Sequence, residues 1–139
     1  MVPVTSTNSE QGCIFCEKPE SERLLTAPLA FAIHDLFPVA PGHILLIPTR
    51  HTASWFDLTR DEHRDILDLL DRAKDYLDSR FSPRGYTIGI NEGAAAGQTI
   101  FHVHLHLIPR HPGDVADPKG GIRGVIPKKQ RYPTRTCEE

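Results

Sequence analysis

Phe101-His102-Val103-His104-Leu105-His106-Leu107-Ile108 alternates apolar side chains with imidazoles. A strand turns successive side chains to opposite faces. The pattern therefore predicts a strand over residues 99–108, ending at Pro109, with His102, His104 and His106 on one face. Phe101, Val103, Leu105 and Leu107 then point the other way, into a core. Neighbouring histidines would lie about 6.6 Å apart along such a strand. Three aligned imidazoles can attack, donate and accept protons near neutral pH. A His-x-His pair can also chelate a metal, but the outer two, about 13 Å apart, are too far apart for one ion.

Around this segment the chain divides into short elements. Residues 29–36 (Leu-Ala-Phe-Ala-Ile-His-Asp-Leu) suit a strand, and Pro38, Pro41 and Gly42 mark a turn. Residues 43–47 are β-rich and stop at Pro48, which predicts a hairpin-like pair. Thr59 and Glu62 form a T-x-x-E capping box, and Asp61 and Glu62 place negative charge in the first helical turn. Ile66, Leu69, Leu70, Ala73, Tyr76 and Leu77 follow at helical spacing, a core-facing stripe that predicts a helix over 60–79, stopped before Pro83. Residues 86–91 read as a further strand. Strands, helix, then strands imply an α+β fold with an antiparallel sheet.

The 139 residues suit one domain. Residues 1–11 are polar and small and are expected to be disordered; the domain proper spans 12–112; residues 113–139, rich in Pro, Gly, Lys and Arg, are expected to form an irregular extension. The formal net charge of -2 lacks the basic excess of a nucleic-acid binder. No apolar run approaches a membrane span, and the first residues lack a signal peptide's pattern, so a cytoplasmic, non-membrane protein is expected. Cys13 and Cys16 form a C-x-x-C pair suited to metal or redox chemistry, whereas Cys137 stands alone, an expected surface thiol.

The run Gln98-Thr99-Ile100-Phe101-His102-Val103-His104-Leu105-His106-Leu107-Ile108-Pro109-Arg110 resembles the signature of the histidine-triad (HIT) family, three histidines each followed by an apolar residue. The resemblance extends over about residues 12–111. It implies a HIT-like fold, with a five-stranded antiparallel sheet, one long helix and a short N-terminal helix. It also implies that His104, the middle histidine, attacks the α-phosphorus of a nucleotide, forming a nucleotidyl-histidine that water releases. His106 is then expected near the phosphate oxygens, as is His43 in Pro41-Gly42-His43-Ile44-Leu45. Gln98, Thr99 and Asn91 match polar positions near the phosphate or ribose. Asp35 matches the ribose-binding acid, and Ile14, Phe15, Ile33 and Leu36 match the apolar wall around a base, with a purine favoured.

In the zinc-bearing branch of the family, a histidine after the second strand and the first triad histidine complete a site with two cysteines. The resemblance therefore implies structural zinc on Cys13, Cys16, His51 and His102. Held by zinc, His102 would fix the strand beside His104 and would not donate protons. Leaving-group protonation would then fall to water, His106 or the substrate. Lys119, Arg123, Lys128, Lys129 and Arg131 could set cations near extra phosphates, or form a solvated or dimer-packing tail. The expected activity is a nucleotidyl hydrolase acting on dinucleoside polyphosphates or nucleoside phosphoramidates. The alternatives are a nucleotide-binding regulator with little turnover and a nucleotidyl transferase. Small family members imply a homodimer.

Overall fold

The computed structural model describes residues 11–133 and Cys137. The disorder expected for residues 1–11 thus falls, Gln11 apart, outside the described residues. Five strands form one antiparallel sheet: β1 (Leu25–Thr26), β2 (Ala30–His34), β3 (Ile44–Pro48), β4 (Gly85–Ile90) and β5 (Leu105–Arg110), in the order β1-β2-β3-β5-β4. β2 and β3 are buried on both faces, which is why their sequences run apolar without strict alternation.

One face packs on the one α-helix among the described residues, α1 (Arg60–Phe81). Ala30, Ala32, Ile44, Leu46, Leu105 and Leu107 meet Ile66, Leu69, Ala73 and Leu77 there. The opposite face carries Phe31, Ile33, Leu45 and Ile47, covered by Phe15. The capping box is present: Thr59 Oγ1 accepts from the Glu62 N–H at 3.1 Å, and Glu62 Oε1 accepts from the Thr59 N–H at 2.9 Å. Glu62 is only 4% exposed, because Arg50 grips it bidentately at 2.8 and 3.1 Å. That pair ties the helix start to the segment bearing His51. The helix runs to Phe81, two residues beyond expectation, and ends on left-handed Ser82 before Pro83.

Gly42, in the β2–β3 connection, has φ +90°, and a Cβ there would meet Leu77 Cδ2 at 2.8 Å and Phe81 Cε2 at 2.9 Å. Glycine is thus required both by backbone conformation and by the close approach of the helix end.

Three expectations change. The histidine strand begins at Leu105, not at residue 99, and continues through Pro109 to Arg110, so His102 and His104 precede the ladder. The Val103 N–H donates instead to the Thr52 carbonyl at 2.8 Å, drawing this stretch toward the loop after β3. Phe101, expected in the core, is 51% exposed, while His102 is fully buried. The short N-terminal helix is a single 3₁₀ turn, Glu20–Glu22. Residues 113–133 wind through two further 3₁₀ turns, Gly121–Val125 and Pro127–Lys129, pinned to β5 by Arg110 and Asp114 at 2.7 Å.

Candidate functional site

On the sheet face opposite α1 lies a cleft of about 290 Å³. Ile33, Leu45 and His106 come to it from β2, β3 and β5, because Leu45 pairs with both Ile33 and His106 across the sheet. Ile14 and Phe15 close one wall, Asp35 and Leu36 another, and Asn91, Gln98, Thr99 and Ile100 line the rim beside His104. Every residue expected around a substrate from the sequence lines this cleft, except His43 and the tail cations Lys119, Arg123, Lys128, Lys129 and Arg131. His43 is buried behind His106.

His104 sits in irregular backbone just before β5. Its Nδ1 lies 2.9 Å from the carbonyl of His102. A carbonyl only accepts, so Nδ1 carries the proton and Nε2 keeps its lone pair. Phe15 meets the ring edge-on at 5.0 Å. The arrangement offers a nitrogen nucleophile of fixed orientation whose rear N–H is already paired.

His43 and His106 form a chain whose tautomers can be worked out. The Val39 N–H donates to His43 Nδ1 at 3.2 Å, so that nitrogen is an acceptor. His43 Nε2–H must then be the donor in the 2.9 Å contact with His106 Nδ1. His106 is left with a proton on Nε2, available as a donor. Burial pushes the His43 imidazole below its ordinary range, with Asp35 opposing the shift and His104 adding to it. Burial likewise pushes His106 down to about 4, helped by His104 and His43. Both rings are therefore neutral at pH 7, as the chain requires. Asp35, His43 and His106 are close enough to suggest a metal cluster. A metal on His43 Nε2 would force a proton onto Nδ1, against the Val39 N–H, so a proton relay suits the geometry better.

A second cluster lies beside the cleft. Cys13 Sγ and Cys16 Sγ each lie 3.5 Å from His102 Nδ1, and Cys16 Sγ lies 3.3 Å from His51 Nδ1. The four ligand atoms all fall within 4.8 Å of one another. A tetrahedral zinc with ordinary S and N bond lengths sets S···N edges of about 3.5 Å. His102 Nε2 donates to the Pro48 carbonyl at 2.7 Å, leaving the Nδ1 lone pair facing the sulfurs, and burial pushes this imidazole down to about 4. The donor set, its edges and the tautomer all fit zinc. With both nitrogens committed, His102 has no proton to offer a substrate.

Gln98 was expected to touch phosphate. It is 5% exposed and its amide is engaged with backbone: Oε1 accepts from the Gly93 N–H at 2.8 Å, and Nε2 donates to the carbonyls of Ala53 at 2.9 Å and Ile100 at 3.1 Å. It holds the cleft rim in shape. Glu92 does related work, accepting from the Trp55 N–H at 2.9 Å. Neither lock could be read from local sequence, because each joins segments far apart in the chain. Lys18 and Phe37, also in the cleft wall, were missed as well; no motif marks them. In the tail, Arg131 pairs with Asp117 at 2.9 Å and Arg123 lies over Tyr132, so these two cations are engaged locally. Cys137 is exposed.

The family model described as HIT domain matches residues 17–113. A bis(5'-adenosyl)-triphosphatase of Dictyostelium discoideum is 40% identical over 95 residues, covering 68% of this chain and 64% of that protein. A bis(5'-nucleosyl)-tetraphosphatase [asymmetrical] of Schizosaccharomyces pombe is 38% identical, covering 64% of this chain and 49% of its own length. This chain thus spans 64% and 49% of the lengths of those two relatives. The crystal structure of a Zn-bound histidine triad family protein from Mycobacterium smegmatis superposes with a TM-score of 0.67 at 31% identity, covering 76% of this chain and 80% of that one.

Proposed function

The chain belongs to the HIT domain family, and on that premise we propose that it is a nucleotidyl hydrolase cleaving dinucleoside polyphosphates at the α-phosphate through a nucleotidyl-histidine on His104. The observation that carries this is the 2.9 Å bond from His104 Nδ1 to the His102 carbonyl, which leaves Nε2 free to attack. In the first step a P–N bond forms and the P–O bond to the leaving phosphate breaks. The imidazolium that results keeps its Nδ1 proton against the carbonyl dipole, which stabilises the new charge. His106 Nε2–H donates to a non-bridging phosphate oxygen, held in that tautomer by His43. Water then attacks phosphorus and gives up one proton to solvent, the P–N bond breaks, and His104 returns to its neutral form.

A phosphate leaving group needs no strong acid. That suits a site in which His102 is committed at both nitrogens, and it favours polyphosphates over phosphoramidates. Asp35 is suited to accept from ribose hydroxyls, and Ile14, Phe15, Ile33 and Leu36 to enclose the base. Cys13, Cys16, His51 and His102 would hold a structural zinc, whose contribution is folding energy and a fixed junction between the N-terminal segment and the start of β5. A homodimer is supported by β4 standing at the edge of the sheet with Ile88 exposed, and by the exposed Ile122 of the 3₁₀ turn that packs on β4.

A hydrolysis panel of dinucleoside polyphosphates, nucleoside phosphoramidates and sugar nucleotides, read by product identity, tests the proposal. Release of a mononucleotide from the polyphosphates is expected. Binding without release of any product would favour the regulatory alternative.

A further inference from the structure

Lys18 lies in the wall of the cleft. It is the only lysine or arginine among the described lining residues, and Asp35 is the only carboxylate. Its place along the cleft follows from the sheet. His106 on β5 pairs with Leu45 on β3, and Leu45 pairs with Ile33 on β2. Two strand spacings put Ile33 roughly 10 Å from His106. The segment bearing Lys18 continues through the Glu20–Glu22 turn into β1, which flanks β2 on its outer side. Lys18 therefore enters the cleft from the β1–β2 side, on the segment that carries Ile14 and Phe15, and its own N–H donates to the Phe15 carbonyl at 3.3 Å. That is the side read above as the wall around a base.

The Lys18 side chain is only 15% exposed, and its Nζ lies 3.3 Å from Glu22 Oε2. Glu22 takes one of three ammonium protons and holds the group in place. Two ammonium protons remain for a ligand in the cleft, whose base wall is formed by Ile14, Phe15, Ile33 and Leu36. An ammonium only donates, so it distinguishes bases by the acceptors they present. Guanine and hypoxanthine offer O6 and N7 side by side. Adenine offers N7 next to an amino group, itself a donor.

We propose that Lys18 reads the nucleobase and gives the cleft a preference for 6-oxopurine nucleotides over adenine nucleotides. The proposal rests on the nucleotide reading above. A hydrogen bond from a charged donor in a partly desolvated site supports a preference of about tenfold.

The test is calorimetric titration of the intact protein with GMP, IMP and AMP. The wild type is expected to bind GMP and IMP about tenfold more tightly than AMP. IMP isolates the O6 contact, because it lacks the guanine amino group. Lys18→Met should lose the preference by weakening GMP and IMP more than AMP, which still offers N7 as an acceptor, and Lys18→Arg should retain it. Equal affinities in the wild type, tighter AMP binding, or a preference that survives Lys18→Met overturns the assignment. Failure of all three nucleotides to bind is a different result: it removes the nucleotide reading itself.

Discussion

Replacing His106 by glutamine tests the neutral His43–His106 chain directly. A glutamine Oε1 can accept the His43 Nε2–H, and its amide can still donate into the cleft, so His106→Gln keeps the bonding pattern while removing a titrating group. The His106 imidazole is held at about 4, against an ordinary 6.5. Below 6.5 the unfolded chain takes up a proton at this residue, and the folded chain does not until near 4. The unfolded state thus binds more protons in this window, and folding stability falls as pH falls through it. At about pH 5 the full shift corresponds to about 2 kcal/mol, which solvent screening of the part-exposed ring reduces to about 1 kcal/mol. Urea denaturation at about pH 7 and about pH 5 measures it: the wild type should lose about 1 kcal/mol more than His106→Gln between the two. Equal losses would mean that His106 titrates as an ordinary surface imidazole, and the tautomer chain would have to be abandoned.

Other outcomes follow from the same geometry. His104→Ala should lower turnover at least about a thousandfold while leaving nucleotide binding measurable by calorimetry; hydrolysis at the parent rate would show that the nucleophile lies elsewhere. Freshly purified protein should carry about one zinc per chain by elemental analysis, and Cys13→Ser should lose it with a lower melting temperature. Glu62→Ala strips the helix cap and leaves Arg50 without its buried partner, at a cost of about 2 kcal/mol by thermal denaturation, whereas an unchanged melting point would contradict the pairing. Gln98→Leu leaves the Gly93 N–H and two carbonyls without their partner, so KM should rise with a smaller effect on kcat, read from steady-state kinetics.

Much of this fold was legible because its signals are local. The capping box at Thr59 and Glu62, the apolar stripe from Ile66 to Leu77, and the turn at Pro41-Gly42 need only neighbours a few residues away. The five-stranded sheet followed from the resemblance. The start of the histidine strand did not follow, for a physical reason. Val103, Leu105 and Leu107 keep the period of a strand and are all buried, but the Val103 N–H is taken by Thr52 and the His102 carbonyl by the His104 ring. Alternation reports which way side chains point, not which strand accepts the backbone bonds. His102 exposes the same gap: it was expected to share one strand face with His104 and His106, and it is wholly buried, because its ring bridges Pro48 and the cysteines. The grouping of Cys13, Cys16, His51 and His102 was anticipated only through the resemblance; spacing alone left the cysteine pair open. Lys18 and the Gln98 lock had no local mark at all.

The glycine between β2 and β3 gives the fold an uneven tolerance to change. Position 42 is constrained twice, by a backbone angle and by contact with Leu77 and Phe81, and His43 comes next in the chain. A lineage altering the helix end would therefore disturb the register of the relay without touching a single group that meets substrate. Drift at residues 77 and 81 should be slow and concerted, and their histories should be tied to a histidine on the opposite side of the sheet.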